Sequence, residues 1–279
     1  MILTGTARLA GVMGWPVGHS RSPRLHGYWL DAYGIDGAYL PLPVAPEHIE
    51  TALRALPLLG FAGVNLTVPH KEAALGVVDR VDALARRIGA VNTVVVAADG
   101  TLDGTNTDAF GFTENLRAGA PDWEPSRAAV VLGAGGAARA VCVGLADAGV
   151  AEIRLANRKA ARATRLADEL SGIQPVAWEA RGDALDGAGL LVNTTTLGMT
   201  GAPPLDIALD ALAGDAVVTD IVYAPLETPL LAAARARGNV TVDGLGMLLH
   251  QARPGFAAWF GHEPDVTDAL RAFVLEDLA

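Results

Sequence analysis

The chain has 279 residues, room for one large domain or two ordinary ones, and 51% of it is hydrophobic, so a sizeable core can form. A formal net charge of −10 argues against a nucleic-acid partner, which needs a basic face, and the single cysteine, Cys142, excludes an internal disulfide. No apolar run approaches the roughly 18 residues of a membrane span, and "MILTGTARLAG" lacks a basic region followed by a long apolar one, so a soluble cytoplasmic protein is expected.

Short apolar runs alternate with helical patterns along the chain, which predicts an α/β fold on mostly parallel strands. Strands are expected near 9–14, 37–42, 61–66 and 91–96, and helices near 23–34, 46–56, 70–76 and 79–88. After the first strand, "GWPVGHSRSP" sets Ser20 and Ser22 two residues apart on a Gly- and Pro-rich turn. "GVNLTVPHK" is a strand ending in polar residues: Asn65 and Thr67 share a face by period two, and Lys71 follows just past Pro69. "IGAVNTVVV" puts Asn92 at the start of another strand. "DGTNTDAFGF" puts Asp108 at a helix N-cap. All lie at strand ends or turns, where open α/β sheets place ligands.

Of 21 basic residues, only Lys71 and Lys159 are Lys. Arg is never deprotonated in practice whereas Lys can be, so a retained Lys can mark a place where Arg fails; chance is the plain alternative. Lys71 with Asp108 is a workable proton-transfer pair, because burial and a neighbouring carboxylate tune a Lys pKa. His70 is a candidate to tune Lys71 further. Taken singly, Asn65 and Asn92 are also ordinary turn formers, and Asp108 an ordinary cap.

"APDWEPSR", 120–127, is a Pro-rich polar break. Beyond it, "AAVVLG", "EIRLAN", "QPVAW", "LLVNTT", "AVVTDIVY" and "VTVDG" read as strands. The first runs into the turn Gly133, Ala134, Gly135, Gly136, Ala137 and then a small-residue helix in which Cys142 reads as a small buried hydrophobe. Such glycines allow a tight turn and close approach to a pyrophosphate, and the helix N-terminus offers N–H donors. Gly133 and Gly135 fit G-x-G-x-x-G/A with Ala138 third; the plain alternative is a strand–helix turn without a ligand. An NAD site usually ends the next strand on Asp or Glu. Here "RLANRKAAR" supplies Asn157, Arg158, Lys159 and Arg162, which favours a 2′-phosphate and hence NADP. Together with the Lys–Asp pair this points to hydride transfer at an alcohol carbon. The six His show no ligand spacing, so no metal is expected, and neither Y-x-x-x-K nor G-x-S-x-G occurs. "GLGMLLHQARPGFAAWFG" reads as an apolar helix interrupted or ended near Pro254, and 265–278 as a final amphipathic helix.

In order and spacing, "GWPVGHSRSPRLH", "VNLTVPHK", "IGAVNT", "GTNTDAFG", "GAGGAAR", "NRKAAR", "NTTTLGM", "DIVYAPLETPLL" and "DGLGMLLHQA" resemble the shikimate dehydrogenase family over essentially the whole chain. The resemblance implies reversible NADPH reduction of 3-dehydroshikimate to shikimate, in aromatic amino acid biosynthesis. It implies two domains: an N-terminal α/β substrate domain, 1–109 plus 244–279, and a Rossmann-like NADP-binding domain, 110–243, with the active site in the cleft between them. It makes Ser20 and Ser22 the pair that hydrogen-bonds the substrate carboxylate. Asn65, Asn92, Asp108 and Gln251 become holders of ring hydroxyls, with Thr67 close by, and Tyr223 a pocket residue. Lys71 and Asp108 become the catalytic pair. Asn193, Thr194 and Thr195 fall on the cofactor side, and Gly244, Gly246 and Met247 border the nicotinamide. The chain departs from the family's usual Asn at Gly27, Phe at His70 and Thr at Lys159. A small-molecule substrate, no nucleic acid, no membrane and a monomer or homodimer are expected. Two other readings stand beside this one. One is a quinate/shikimate paralogue using NAD(P), against which Ser22 and the cations at 158 and 159 argue. The other is a non-catalytic NADP-binding sensor, against which the retained Lys71 and Asp108 argue.

Overall fold

The run RLAGVMG forms β1 (Arg8–Gly14), and its last five residues are buried, as suits an interior strand of a parallel layer. The computed structural model, which describes residues 2–276, continues with α1 (Ser22–Ala32), β2 (Gly37–Pro43), α2 (Ile49–Ala55), β3 (Phe61–Leu66), β4 (Arg80–Val81), α3 (Ala83–Ile88), β5 (Thr93–Val96) and β6 (Leu102–Thr105). Their sheet has the order β2-β1-β3-β5-β6-β4. β1 pairs parallel to β2 and β3, whereas β5 runs antiparallel to β3 and β6. Met13, Val64, Leu66 and Val94 pack with Leu53 and Leu56 in its core.

Several expectations shift here. The segment expected as a helix over 79–88 opens with the short strand β4, and α3 starts only after Asp82, whose side chain accepts from Ala85 N and caps it. The expected helix at 70–76 shrinks to a single 3-10 turn, Ala73–Gly76. β6 was not expected, because its sequence LDGT carries a Gly and an Asp that read as a turn. Its pairing with β5 and β4 decides the matter.

The helix α4 (Asp108–Gly119) leads into β7 (Ala128–Leu132), α5 (Gly136–Asp147), β8 (Ile153–Ala156), α6 (Ala160–Glu169), β9 (Ile173–Val176), β10 (Ala188–Asn193), β11 (Val217–Asp220), α7 (Pro229–Ala236) and β12 (Val240–Val242). These six strands, all expected, make an entirely parallel sheet of order β12-β11-β10-β7-β8-β9. Strand order reverses at β7, between β8 and β10, which is where doubly wound sheets bind ligands. Val130, Leu132, Leu191 and Val218 fill one face of this sheet against Leu230 and Leu231 of α7.

The chain ends in α8 (Leu245–Phe260) and α9 (Asp268–Leu275). α8 runs through Pro254 without ending there. Proline costs its helix a hydrogen bond, but Ala252, Phe256 and Trp259 beyond and around it are buried, and Trp259 Nε1 donates to Val94 O at 3.1 Å. Tertiary packing outweighs the local penalty. The expected end of the last helix at 278 lies outside the described residues. By internal contacts the chain forms two units, one running to Asp108 and resuming at Gln251, the other Ala109–His250. Among the described residues no helix is long and apolar enough to cross a membrane.

Candidate active site

In the first unit, Lys71 Nζ donates to Asp108 Oδ2 at 2.6 Å. The Asp108 side chain is only 6% exposed and that of Lys71 19%, so the pair is half-sheltered yet reachable from solvent. Asn92 Nδ2 donates to Asp108 Oδ1 at 2.8 Å and to Thr107 Oγ1 at 3.0 Å. Asn92 Oδ1 accepts from Thr107 N at 2.9 Å and from Thr93 Oγ1 at 2.9 Å. Its amide is therefore spent on fixing the carboxylate and the loop beside it. Asn65 Nδ2 donates to Thr93 Oγ1 at 3.0 Å and to Asn92 O at 3.2 Å, while Asn65 Oδ1 accepts from Tyr39 Oη at 2.6 Å. One continuous chain of hydrogen bonds thus joins Tyr39, Asn65, Thr93, Asn92, Asp108 and Lys71. Ser20 Oγ accepts from Ser22 N at 3.3 Å, which places the two serines side by side.

Backbone architecture explains why these groups meet. Asn65 is the penultimate residue of β3 and Thr93 the first of β5, and the two residues face each other across the antiparallel ladder. Asp108 is the first residue of α4, where a carboxylate suits the helix dipole. The expectation that it caps the helix is corrected in one respect: Asn106 Oδ1 accepts from Asp108 N at 2.9 Å and takes over that task. Both Asp108 oxygens are left for Lys71 and Asn92. His70 is buried, with Nε2 donating to Val44 O at 2.9 Å, and burial lowers its pKa. Thr67 packs its methyl where a side chain on Gly14 would stand, with 2.5 Å to the missing Cβ. Gln251 lies buried on α8.

The second unit carries a cleft of about 210 Å³ lined by Gly133, Ala134, Gly135, Asn157, Arg158 and Thr194. Gly133 has φ +110°, and a Cβ there would stand 2.6 Å from Thr194 Oγ1, so only glycine fits. Above Gly135 nothing lies within 4 Å. Gly135 is the N-cap of α5 and supplies no side-chain cap, which leaves the first helix N–H groups, at Gly136 and Ala137, without a side-chain acceptor. A cradle of this kind fits a pyrophosphate. β8 ends without a carboxylate; Arg158, Lys159 and Arg162 are exposed there and, among the described residues, pair with no acid. Asn157 Nδ2 donates to Lys159 O at 2.9 Å and shapes that turn. The arrangement therefore sets a helix N-terminus able to hold a pyrophosphate near three exposed cations able to hold a further phosphate.

Other expected residues have visible packing work. Asn193 holds Asp220 Oδ1 at 2.9 Å and accepts from Thr195 N at 3.0 Å, so it builds the loop after β10. Burial raises the Asp220 pKa, partly offset by hydrogen bonds from Val222, Thr228 and Asn193. A Cβ on Gly246 would stand 1.8 Å from Asn115 Oδ1, and one on Gly244 2.3 Å from Ile221 O. Met247 is buried on α8 and Tyr223 is half-buried in the loop after β11. Tyr39, Thr93, Thr107 and Asn106 were missed by the sequence reading. Tyr39 carries no local signal in the sequence, though "NT" at 92–93 and 106–107 repeats a polar pair that could have been noticed. Trp178 also lines the cleft beside Gly133, with the Arg181 guanidinium 4.7 Å above its ring. Among the described residues no group of His, Cys, Asp or Glu is arranged to hold a metal.

Three family models match the chain: the shikimate dehydrogenase substrate binding domain over 12–94, shikimate / quinate 5-dehydrogenase over 120–196 and the shikimate 5′-dehydrogenase C-terminal domain over 244–272. The shikimate dehydrogenase (NADP(+)) of Paramagnetospirillum magneticum is 68% identical, over 98% of this chain and 100% of the relative. That of Rhodospirillum rubrum is 64% identical, over 98% and 99%. Among solved structures, Thermus thermophilus shikimate 5-dehydrogenase in complex with NADP(H) and shikimate is 38% identical, with a TM-score of 0.86 over 96% of this chain and 98% of that one. Quinate dehydrogenase of Corynebacterium glutamicum in complex with NAD is 35% identical, with a TM-score of 0.90 over 96% and 99%. Identity of this depth over nearly the full length, together with the polar network and the glycine cradle, leads to one conclusion: the chain belongs to the shikimate dehydrogenase family.

Proposed function

We propose that this chain catalyses the reversible, NADP-dependent reduction of 3-dehydroshikimate to shikimate, a step of aromatic amino acid biosynthesis, with Lys71 and Asp108 moving the proton. The observation that carries the reading is the 2.6 Å contact between Lys71 Nζ and a carboxylate whose other oxygen is held by Asn92. The unit that contains this pair binds substrate, and the unit Ala109–His250 binds NADP. Bound NADP supplies or accepts the hydride. Lys71 holds a proton at Nζ, hands it to the carbonyl oxygen as negative charge develops there, and takes it back in the reverse direction. Asp108 keeps the ammonium in place.

Ser20 and Ser22 anchor the carboxylate by geometry, without a neutralising Arg. Asn65, Asn92, Asp108 and Gln251 hold ring hydroxyls, with Thr67 and Tyr223 completing the pocket. Asn65 does so through Oδ1, since both its amide hydrogens are already donated. Asn92 does so only by exchanging its bond to Thr107. Gly133, Ala134, Gly135, Gly136, Ala137 and Thr194 cradle the pyrophosphate. Asn157, Arg158, Lys159 and Arg162 take the 2′-phosphate, and Gly244 and Met247 border the nicotinamide. The same reading makes the chain a cytoplasmic enzyme acting as a monomer or homodimer on a small dissolved acid.

Lys71→Ala tests it. General acid–base groups contribute about 10²–10⁴-fold, so turnover should fall by that much while shikimate binding, measured by calorimetry, changes little. Near-normal turnover would remove Lys71 from the mechanism.

A further inference from the structure

We infer that Asp220 is a positioning residue for the cofactor: by holding Asn193 it sets the loop 194–197 that walls the cleft beside Gly133. The inference deepens the proposed function and rests on its assignment of that cleft to NADP. Asn193 ends β10, Asp220 ends β11, and the two are partners across the parallel ladder. Both side chains are buried, as is that of Thr228. Asp220 Oδ1 accepts from Asn193 Nδ2 at 2.9 Å and from Val222 N at 3.0 Å, and Oδ2 accepts from Thr228 Oγ1 at 2.8 Å. All three partners are donors, so the carboxyl serves as an acceptor throughout. Among the described residues it pairs with no cation, and a buried carboxylate is costly unless donors surround it in this way. Thr228 in turn caps α7, which seats the clamp on a helix.

Asn193 passes that hold to the cleft. Its Oδ1 accepts from Thr195 N at 3.0 Å and from Thr195 Oγ1 at 2.8 Å, and its Nδ2 also donates to Leu197 O at 3.1 Å. Leu197 N donates to Thr195 Oγ1 at 3.0 Å. The Asn193 side chain is thus the frame of the loop, and its bond to Asp220 ties that frame to β11. Thr194, Thr195, Thr196 and Leu197 all line the cleft. Their position matters because Thr194 Oγ1 donates to Leu132 O at 2.6 Å and stands 2.6 Å from where a Cβ on Gly133 would be. The wall and the glycine turn therefore touch, and a wall that drifts changes the space left for a pyrophosphate. On its other side, Asp220 O lies 2.8 Å from the Cβ position of Gly244. In the proposed function, Asp220 stands between two stretches that the cofactor touches.

Asp220→Ala removes all three acceptor bonds. It should weaken NADPH binding, read by the fluorescence of the reduced nicotinamide, by about five- to a hundredfold, the size of one to two lost hydrogen bonds. The KM for NADP and that for NAD should rise together, while the KM for shikimate stays within about twofold. Asp220→Asn should bring NADPH binding back to within about threefold of wild type. Its amide oxygen accepts from Asn193 and Val222, and its amide nitrogen donates to Thr228 Oγ1, a hydroxyl with two lone pairs that turns its own proton away. Wild-type NADPH affinity in Asp220→Ala, an Asp220→Asn variant as weak as Asp220→Ala, or a rise confined to the KM for shikimate would overturn the inference and leave the proposed function standing. Wild-type protein that binds no NADPH would remove both. Should Asp220→Ala fail to fold, amide exchange in the wild-type protein decides. Without cofactor, the Thr195, Leu197 and Val222 amides should already exchange slowly, together with those of β10. Loop amides that exchange fast until NADPH is added would mean that the cofactor, not Asp220, sets the wall, and would overturn the inference.

Discussion

Asp108 shows how a single atom's assignment decides a site. Had it capped α4, one carboxylate oxygen would point into its own helix. Because Asn106 does that work, Oδ1 and Oδ2 face Asn92 and Lys71. Asp108→Asn should therefore lower kcat by about 10²–10⁴-fold, since a neutral amide neither holds the ammonium nor relays a proton. Loss confined to KM would point to substrate binding alone. Ser22→Ala should chiefly raise KM, because it removes binding common to ground and transition states. His26 makes a separate prediction about acid. Burial lowers its pKa from 6.5 to about 3, so between those values the unfolded chain binds a proton that the folded chain does not. Its contribution is intact above pH 6.5 and is lost progressively as pH falls toward 3. His26→Phe should flatten the stability–pH curve in that window, as read by urea unfolding at a series of pH values; an unchanged slope would mean that the imidazole is charged inside its aromatic cage.

At the scale of elements, glycines mark where helices and loops approach too closely for a side chain. Gly246 lets the start of α8 lie against Asn115 of α4, whose Nδ2 also donates to Asp243 O at 2.7 Å. Gly246→Ala forces that amide aside and should cost about 1–3 kcal/mol, seen as a lower Tm; an unchanged Tm would show that the contact yields freely. In the proposed function the end of β8 carries the cofactor choice. Arg158→Ala should raise the KM for NADP about ten- to a hundredfold with little change for NAD, since charged hydrogen bonds are worth about 1.5–3 kcal/mol; equal effects on both cofactors would place Arg158 elsewhere than at the 2′-phosphate. These elements differed in how legible they were. Of the strands of the second unit, all six of which were expected, β7 and β10 are the plainest, since AAVVL and AGLLVN are buried from end to end. β4 and β6 were not, because a two-residue strand and the run LDGT carry no period, and only the pairing of β6 with β5 and β4 reveals them. α8 passes Pro254 because burial of Phe256 and Trp259 cannot be read from a local pattern.

At the scale of the whole molecule, chemistry was more legible than its support. Lys71, Asp108, Asn65 and Asn92 stood out as polar residues at strand ends, and Gly133 to Gly136 as a turn before a helix. Tyr39, Thr93 and Thr107 did not, since a residue that holds another side chain shows no signal until the strands are paired. Cys142 offers a readout of the fold as a unit. It is 1% exposed on α5, and burial pushes its thiol up to about 12. It should resist a thiol reagent in native protein and react only as fast as its surroundings open, so that labelling tracks unfolding. Rapid labelling of native protein would place the cysteine at a loosely packed position.

The most direct test of the central claim is turnover followed by the near-ultraviolet absorbance of the reduced nicotinamide, with shikimate and quinate each offered NADP and NAD. Turnover confined to shikimate with NADP is the expected result, because Ser22 and the cations after β8 then act together. Strong turnover of quinate or with NAD would keep the Lys71–Asp108 chemistry but contradict the assigned substrate or cofactor. Folded protein that binds NADPH and turns over neither acid would contradict the enzymatic reading itself.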